Sequence, residues 1–341
     1  MILKMTRTFT IILLLLVTGS CMKYGPSETE AFLPGASSKG LFIVNEGNFM
    51  YGNASLSYYD TQSGIVENEV FIRANGINLG DVAQSMTMHN GKGYIVVNNS
   101  GVIFVIDPGT FYLKGNITGL ISPRHIHFIN DNKAYVTDLY RERITIVDPE
   151  QYTVTGAVNT PGHRSTEEMV QWKNDLFVSC WSYDNKILVI DTQTDRITDS
   201  IEVGHQPSQM LLDKNDKIWC AASGRIYRID ASTRTVEDIF TISEDASYSY
   251  LALNGTRDTL YILNREVWRM AADAGAIPLK PFISGQNKRY YGLAVDPATS
   301  HIYIADAIDY VQPGKIYRFD PEGVPSDTLT AGINPGAFCF R

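Results

Sequence analysis

The feature that most constrains this chain is a short apolar run closing on aspartate that returns at a near-constant interval. It reads Leu-Ser-Tyr-Tyr-Asp60, Ile-Phe-Val-Ile-Asp107, Ile-Thr-Ile-Val-Asp148, Ile-Leu-Val-Ile-Asp191, Ile-Tyr-Arg-Ile-Asp230 and Ile-Tyr-Arg-Phe-Asp320. A seventh copy, Val-Trp-Arg-Met-Ala271, lacks the acid. Asp60 to Asp320 is 260 residues in six intervals, a mean of about 43, the length of four short strands. Such a unit cannot bury its apolar faces alone and must stack against its neighbours.

Two further strands recur in fixed register with it. One precedes each Asp-ending run and starts at an aromatic residue: Phe42, Tyr94, Tyr135, Phe177, Trp219, Tyr261 and Tyr303. The other opens each unit, at 84–88, 124–128, 168–172, 208–212, 249–253 and 291–295. Only six of these occur in line. The seventh is supplied by the far end, where Asn334-Pro335-Gly336-Ala337-Phe338-Cys339-Phe340 repeats the pattern of 206–212. A last strand that joins the first unit closes a ring and hides the sheet edges. The expectation is an all-β chain, a seven-bladed β-propeller closed by its C-terminal strand, with no sustained 3.6-residue period.

The repeat also fixes the domain limits. Lys4 and Arg7 precede an apolar run from Ile11 to Val17, too short to span a bilayer, and then Thr18-Gly19-Ser20-Cys21, which reads as an export signal over 1–20. The Gly-Ser-Cys ending resembles a bacterial lipobox, with Thr18 where Leu is usual, and so implies lipidation of Cys21. Residues 21–39, rich in Gly, Pro, Ser and Glu, read as a flexible tether. The ring then occupies 40–341. Loss of Lys4 and Arg7 with the signal takes the formal charge from −8 to −10, and no basic stripe exists to neutralise phosphates, which excludes nucleic acid as a partner.

The repeated aspartates are turn caps rather than a carboxylate cluster, because each precedes a run typical of an Asx turn, such as Thr-Gln-Ser-Gly or Pro-Gly-Thr. With Cys21 assigned to lipid, Cys180, Cys220 and Cys339 are an odd set with no zinc-type spacing and read as buried thiols. His125 and His127 share a strand face, and His163 and His205 precede the next two inner strands, yet no carboxylate or Cys recurs at ligand spacing, so no metal is expected. There is no nucleophile elbow, phosphate loop or dinucleotide fingerprint, and neither an enzyme nor a cofactor is expected.

Function is expected where the repeat varies, at loop ends bordering the central channel. Near the starts of the innermost strands lie Gln84, Arg124, His125, Glu168, Gln209, Tyr248, Tyr250, Tyr290, Tyr291 and Asn334. At the ends of the next strands lie Asn45, Asn98, Asp138, Tyr140, Trp181, Tyr183, Asn264, Arg265, Asp306 and Tyr310. Rich in Tyr, Trp and amides and without Lys, the two sets suit a large, amide-bearing, partly apolar ligand.

The repeat, the segment Tyr290-Tyr291-Gly292-Leu293-Ala294-Val295-Asp296-Pro297 and the strand Ile302-Tyr303-Ile304-Ala305-Asp306-Ala307 resemble the YVTN-type surface propellers of gut Bacteroidetes. Within that group the chain most resembles the BtuG-like lipoproteins. The resemblance implies a lipid-anchored protein of the outer-membrane surface that captures cobalamin, a corrinoid, and passes it to a TonB-dependent transporter. A glycan-binding lipoprotein, a protein-interaction scaffold and a propeller lyase or dehydrogenase are the competing readings.

Overall fold

A computed structural model of the chain describes residues 39–242, 249–285 and 288–341. The signal, Cys21 and all but the last residue of the tether lie outside the described residues, as does Tyr248.

Among the described residues the chain forms seven antiparallel sheets in chain order. Blade 1 holds β1 (Gly40–Asn45), β2 (Ser55–Asp60) and β3 (Ile65–Glu67). Blade 2 runs β4 (Ala83–His89), β5 (Lys92–Val97), β6 (Val102–Ile106) and β7 (Leu113–Ile117). Blade 3 is β8 (Pro123–Asn130), β9 (Lys133–Asp138), β10 (Arg143–Asp148) and β11 (Thr153–Asn159). Blade 4 is β12 (Thr166–Trp172), β13 (Asp175–Cys180), β14 (Lys186–Asp191) and β15 (Arg196–Glu202). Blade 5 is β16 (Met210–Leu212), β17 (Lys217–Ala222), β18 (Arg225–Asp230) and β19 (Thr235–Thr241). Blade 6 has β20 (Tyr250–Leu253), β21 (Thr259–Asn264) and β22 (Glu266–Ala271); blade 7 has β23 (Tyr290–Val295), β24 (Ile302–Asp306), β25 (Pro313–Phe319) and β26 (Pro325–Ile333). The last strand, β27 (Pro335–Phe340), pairs antiparallel with β1, so the C-terminus supplies the inner strand of blade 1 and closes the ring.

Burial follows from this arrangement. The second strand of each blade is covered on both faces by neighbouring blades, so β1, β5, β9, β13, β17 and β24 are almost wholly buried. Their leading aromatics, from Phe42 to Tyr303, are the packing residues expected, each at most 3 % exposed. One core cluster joins Phe177, Ile187, Val189 and Ile201 of blade 4 to Met210, Ile218 and Tyr227 of blade 5. Each such side chain contributes about 1.5–3 kcal/mol on leaving water. The outermost strands keep one face in water, as in β11, whose residues are mostly exposed.

The six aspartates cap the turn into the outermost strand. Asp60 Oδ1 accepts from the Gln62 and Ser63 N–H groups at 2.8 and 3.1 Å, Asp148 Oδ1 from Glu150 and Gln151 at 2.9 and 3.0 Å, and Asp230 Oδ1 from Ser232 and Thr233 at 2.9 and 2.8 Å. Blade 6, where Ala271 stands in place of the acid, has no fourth strand among the described residues. Its outer edge is met only by an isolated bridge between Val267 and Ile283. Among the described residues the cap and the strand it launches are absent together. One short helix, α1 (Val70–Asn75), is a departure from the expected pattern; it buries Val70 and Phe71 and ends on Gly76 at φ 69°. Six residues are too few for a 3.6-residue period to stand out.

Candidate functional site

The inner strands all start at one end of the ring, and there a cavity of about 730 Å3 opens, lined by residues from all seven blades. Simple strand alternation cannot explain its walls, because neighbouring residues Arg124 and His125, and Glu167 and Glu168, both line it. The register shows why. Pro123 pairs with Asp138 and Ile126 with Val136, so Arg124 and His125 together oppose Thr137. Thr166 pairs with Cys180 and Met169 with Val178, so Glu167 and Glu168 together oppose Ser179. Similar shifts set Gln84, Tyr291 and Gly336 out of the ladder. These are β-bulges, which insert a residue and re-aim its side chain.

Buried hydroxyls hold the bulges in place. Thr137 Oγ1 accepts from the His125 N–H at 3.0 Å and donates to the Glu167 carbonyl at 2.7 Å. Ser179 Oγ accepts from the Glu168 N–H at 3.0 Å and donates to the Ser208 carbonyl at 2.7 Å, and Ser85 Oγ donates to the Arg124 carbonyl at 2.7 Å. Each hydroxyl ties its own blade to the next. Val82, at the start of this rim, sits at φ 58°, a left-handed conformation that costs a β-branched residue on the order of 1–3 kcal/mol.

The charged centre of the cavity is a network across blades 2 to 4. Arg124 donates through Nε and Nη2 to the two oxygens of Glu167, both at 2.7 Å, and through Nη1 to Gln84 Oε1 at 2.6 Å. His125 lies between the two acids, with Nδ1 3.6 Å from Glu168 and Nε2 3.8 Å from Glu167. Burial alone would raise the Glu167 carboxyl; Arg124 and His125 overcome it and hold the group at about 2. Burial raises Glu168, aided by the Glu167 charge. Burial would depress His125, but Glu168 and Glu167 turn its shift upward. The ring of Trp181 lies 5.9 Å from the Arg124 guanidinium. Three blades round the ring, Tyr250, Tyr291 and Tyr310 meet edge to face at centroid distances of 6.3 and 5.7 Å. Behind them Glu46 accepts from Tyr291 Oη at 2.8 Å, and burial pushes its carboxyl up to about 7.

Of the residues named from sequence, Gln84, Arg124, His125, Glu168, Trp181, Gln209, Tyr250, Asn264, Arg265, Tyr290, Tyr291 and Tyr310 converge on the cavity. Others are placed differently. Asn98 is buried and donates to Ser122 Oγ and the Pro123 carbonyl at 2.8 and 3.0 Å. Asp138 accepts from the Ser122 and Tyr140 N–H groups, and Asp306 from those of Arg289 and Ile308 and from Tyr317 Oη. Asn45 bonds Ser55, Ser57 and Gly332, and Asn334 donates to the Gly47 carbonyl. These strand-end polar residues lash loops to inner strands. Tyr140 and Tyr183 are exposed away from the cavity wall, and His127 pairs with Gln171 at 3.0 Å. The sequence reading missed Glu46, Glu167, Met86, Phe338, Lys288 and Arg289, all of which line the cavity. Lys288 corrects the expectation of a lysine-free rim.

Residues 39–328 match the family described as a domain of unknown function, DUF5074. This chain belongs to the DUF5074 family. No functionally curated protein matches the sequence. Among solved structures, this DUF5074 propeller is similar to a quinonprotein alcohol dehydrogenase-like protein from Bacteroides thetaiotaomicron, with TM-score 0.72, 16% identity, and coverage of 89% of this chain and 78% of that one. It is also similar to a periplasmic gluconolactonase of Pseudomonas aeruginosa, with TM-score 0.68, 14% identity, and coverage of 89% and 98%. Hydrazine synthase of Kuenenia stuttgartiensis follows at TM-score 0.65 and 14% identity, over 75% and 89% of the two chains. At these identities the likeness concerns the fold alone.

Proposed function

We propose that this DUF5074 propeller is a non-catalytic capture protein for a large, amide-edged, partly apolar small molecule, and that the molecule is a corrinoid such as cobalamin. The observation that carries the reading is the make-up of the cavity. Trp181 and the linked rings of Tyr250, Tyr291 and Tyr310 offer apolar faces, while Gln84, Asn264, Arg265, Arg289 and the Arg124–Glu167 pair offer donors and acceptors around them. A corrin ring, apolar on its faces and amide-bearing at its edge, matches that alternation. The volume is of the size usual for a small-molecule site.

The lipobox-like segment at Cys21 and the resemblance to BtuG-like lipoproteins support display at the outer-membrane surface and hand-off to a TonB-dependent transporter. A protein partner is also favoured by Phe49, Met50 and Tyr51, three consecutive apolar side chains exposed on the loop between β1 and β2. Hydrogen bonds from Met50 N–H to Asp81 and from Asn48 to the Tyr310 carbonyl hold this loop beside the cavity.

Titration of the purified protein with cyanocobalamin tests the ligand. Saturable binding at one equivalent supports the reading. No binding at high ligand concentration overturns it, and retention on polysaccharide in its place would move the assignment to a glycan.

A further inference from the structure

In six of the seven blades the last residue of the second strand, or the one after it, is Asn45, Asn98, Asp138, Cys180, Asn264 or Asp306. Asn45, Asn98, Asp138 and Asp306 make the ties described above, and Asn264 Nδ2 donates to Ser249 Oγ, just before β20, at 3.2 Å. In blade 4 the position holds a thiol, a weak hydrogen-bonding group that cannot make the same tie. Two other groups converge on it instead. His163, from the loop before β12, and Asp184, from the turn before β14, bring a ring nitrogen and a carboxylate oxygen to Cys180, with all three ligand atoms within 4.8 Å of one another. His163 Nδ1 and Asp184 Oδ2 are 2.7 Å apart.

We propose that His163, Cys180 and Asp184 form a binding site for a soft divalent cation of the zinc class, clamping the turn that carries Trp181 into the cavity wall. The donor set is the nitrogen, sulfur and oxygen mixture that zinc accepts, with a fourth position left for water. Tetrahedral zinc spaces its ligand atoms about 3.4 Å apart, so the His163–Asp184 pair opens and the sulfur draws in, each by about an ångström of side-chain rotation. Binding releases the thiol proton to solvent, and His163 ligates through Nδ1 with its own proton on Nε2. A dication with one thiolate and one carboxylate is then neutral, which suits a site whose cysteine is fully buried and whose other two ligands are largely so.

A second observation points to the same junction. Ser165, two residues after His163, receives the Trp181 N–H on its carbonyl at 2.8 Å. Its own Oγ is buried and has no hydrogen-bond partner among the described residues, so a polar group is left over in the segment that leads from His163 to the backbone beside Trp181. A metal-bound water would supply one. The sequence could not join these residues, because His163 lies before the β12–β13 hairpin and Cys180 and Asp184 at its far end.

The test titrates the reduced, purified chain with Co2+ as a spectroscopic stand-in for zinc. The expected result is a thiolate-to-cobalt charge-transfer band that saturates at one equivalent and is displaced by Zn2+. Cys180→Ser should abolish the band and Cys220→Ser should leave it unchanged. Should Cys180→Ser misfold, His163→Ala decides, since His163 is a partly exposed loop residue; its fold is checked by circular dichroism, and Zn2+ affinity should fall by at least about tenfold. Absence of the band in the folded chain, its persistence in Cys180→Ser, or unchanged affinity in His163→Ala overturns the proposal. None of these readouts involves a corrinoid.

Discussion

Glu46 offers the sharpest perturbation. Burial raises its carboxyl from 4.5 to about 7, with the charge of Glu167 adding to the effect, against the hydrogen bond from Tyr291 and the attraction of Arg124. An acid raised on folding stabilises the native state fully below its unfolded value and loses that contribution as pH climbs through the folded value. At about 1.4 kcal/mol per pH unit, the step from 4.5 to about 7 amounts to about 3 kcal/mol lost across that window. Glu46→Gln removes the titration, and the amide oxygen can still accept from Tyr291. The variant should therefore match the parent near pH 4.5 and exceed it by about 2–3 kcal/mol near pH 8, measured by urea unfolding at both values. A stability difference that does not change between the two pH values would refute the account. The same reasoning applies to the ligand. Whatever covers the cavity dries Glu46 further, so binding near pH 7 should take up a proton and tighten as pH falls, which calorimetry in buffers of different ionisation heat would detect.

Other outcomes follow from the network and the repeat. Arg124→Met leaves Glu167, only 3 % exposed, without its bidentate partner and should cost about 3–5 kcal/mol, most of it recovered when Glu167→Gln is added; urea unfolding of the parent and of both variants checks this. Asp148→Ala removes two hydrogen bonds to a carboxylate and should cost about 1–3 kcal/mol in the same assay. Trp181→Ala should weaken cyanocobalamin binding by about tenfold or more with little change in the thermal midpoint, measured by titration and calorimetry, because the ring faces the cavity rather than a blade interface.

How much of this was legible in the sequence depends on which periodicity each residue obeys. The ring, its closure by β27 and the capping aspartates all follow from a 43-residue repeat written in apolar strands and turn chemistry, and these survive because packing between blades leaves them few alternatives. In blade 6, where four strands were expected, the described residues form three, and the copy of the repeat that lacks the acid, at Ala271, lies in that blade. The cavity obeys a different rule. The sequence reading started the blade 4 inner strand at Glu168 and so named that residue and passed over Glu167, whereas the strand starts at Thr166 and the bulge opposite Ser179 turns both acids inward. The clue was present as Thr137 and Ser179, hydroxyls among apolar strand residues, but their meaning lies in hydrogen bonds to backbone carbonyls at the start of the following blade, 30 and 29 residues away. Asn98, Asp138 and Asp306 illustrate the converse. They sit at the rim in register, yet buried polar groups are held by partners, and here the partners are backbone groups and, for Asn98, also the Ser122 hydroxyl of the next blade. A residue that varies between repeats thus has two possible causes, a ligand or a local tie. At the inner strands the bulges, which take Arg124, His125, Glu167 and Glu168 out of the ladder and leave them facing an open volume, separate the first from the second.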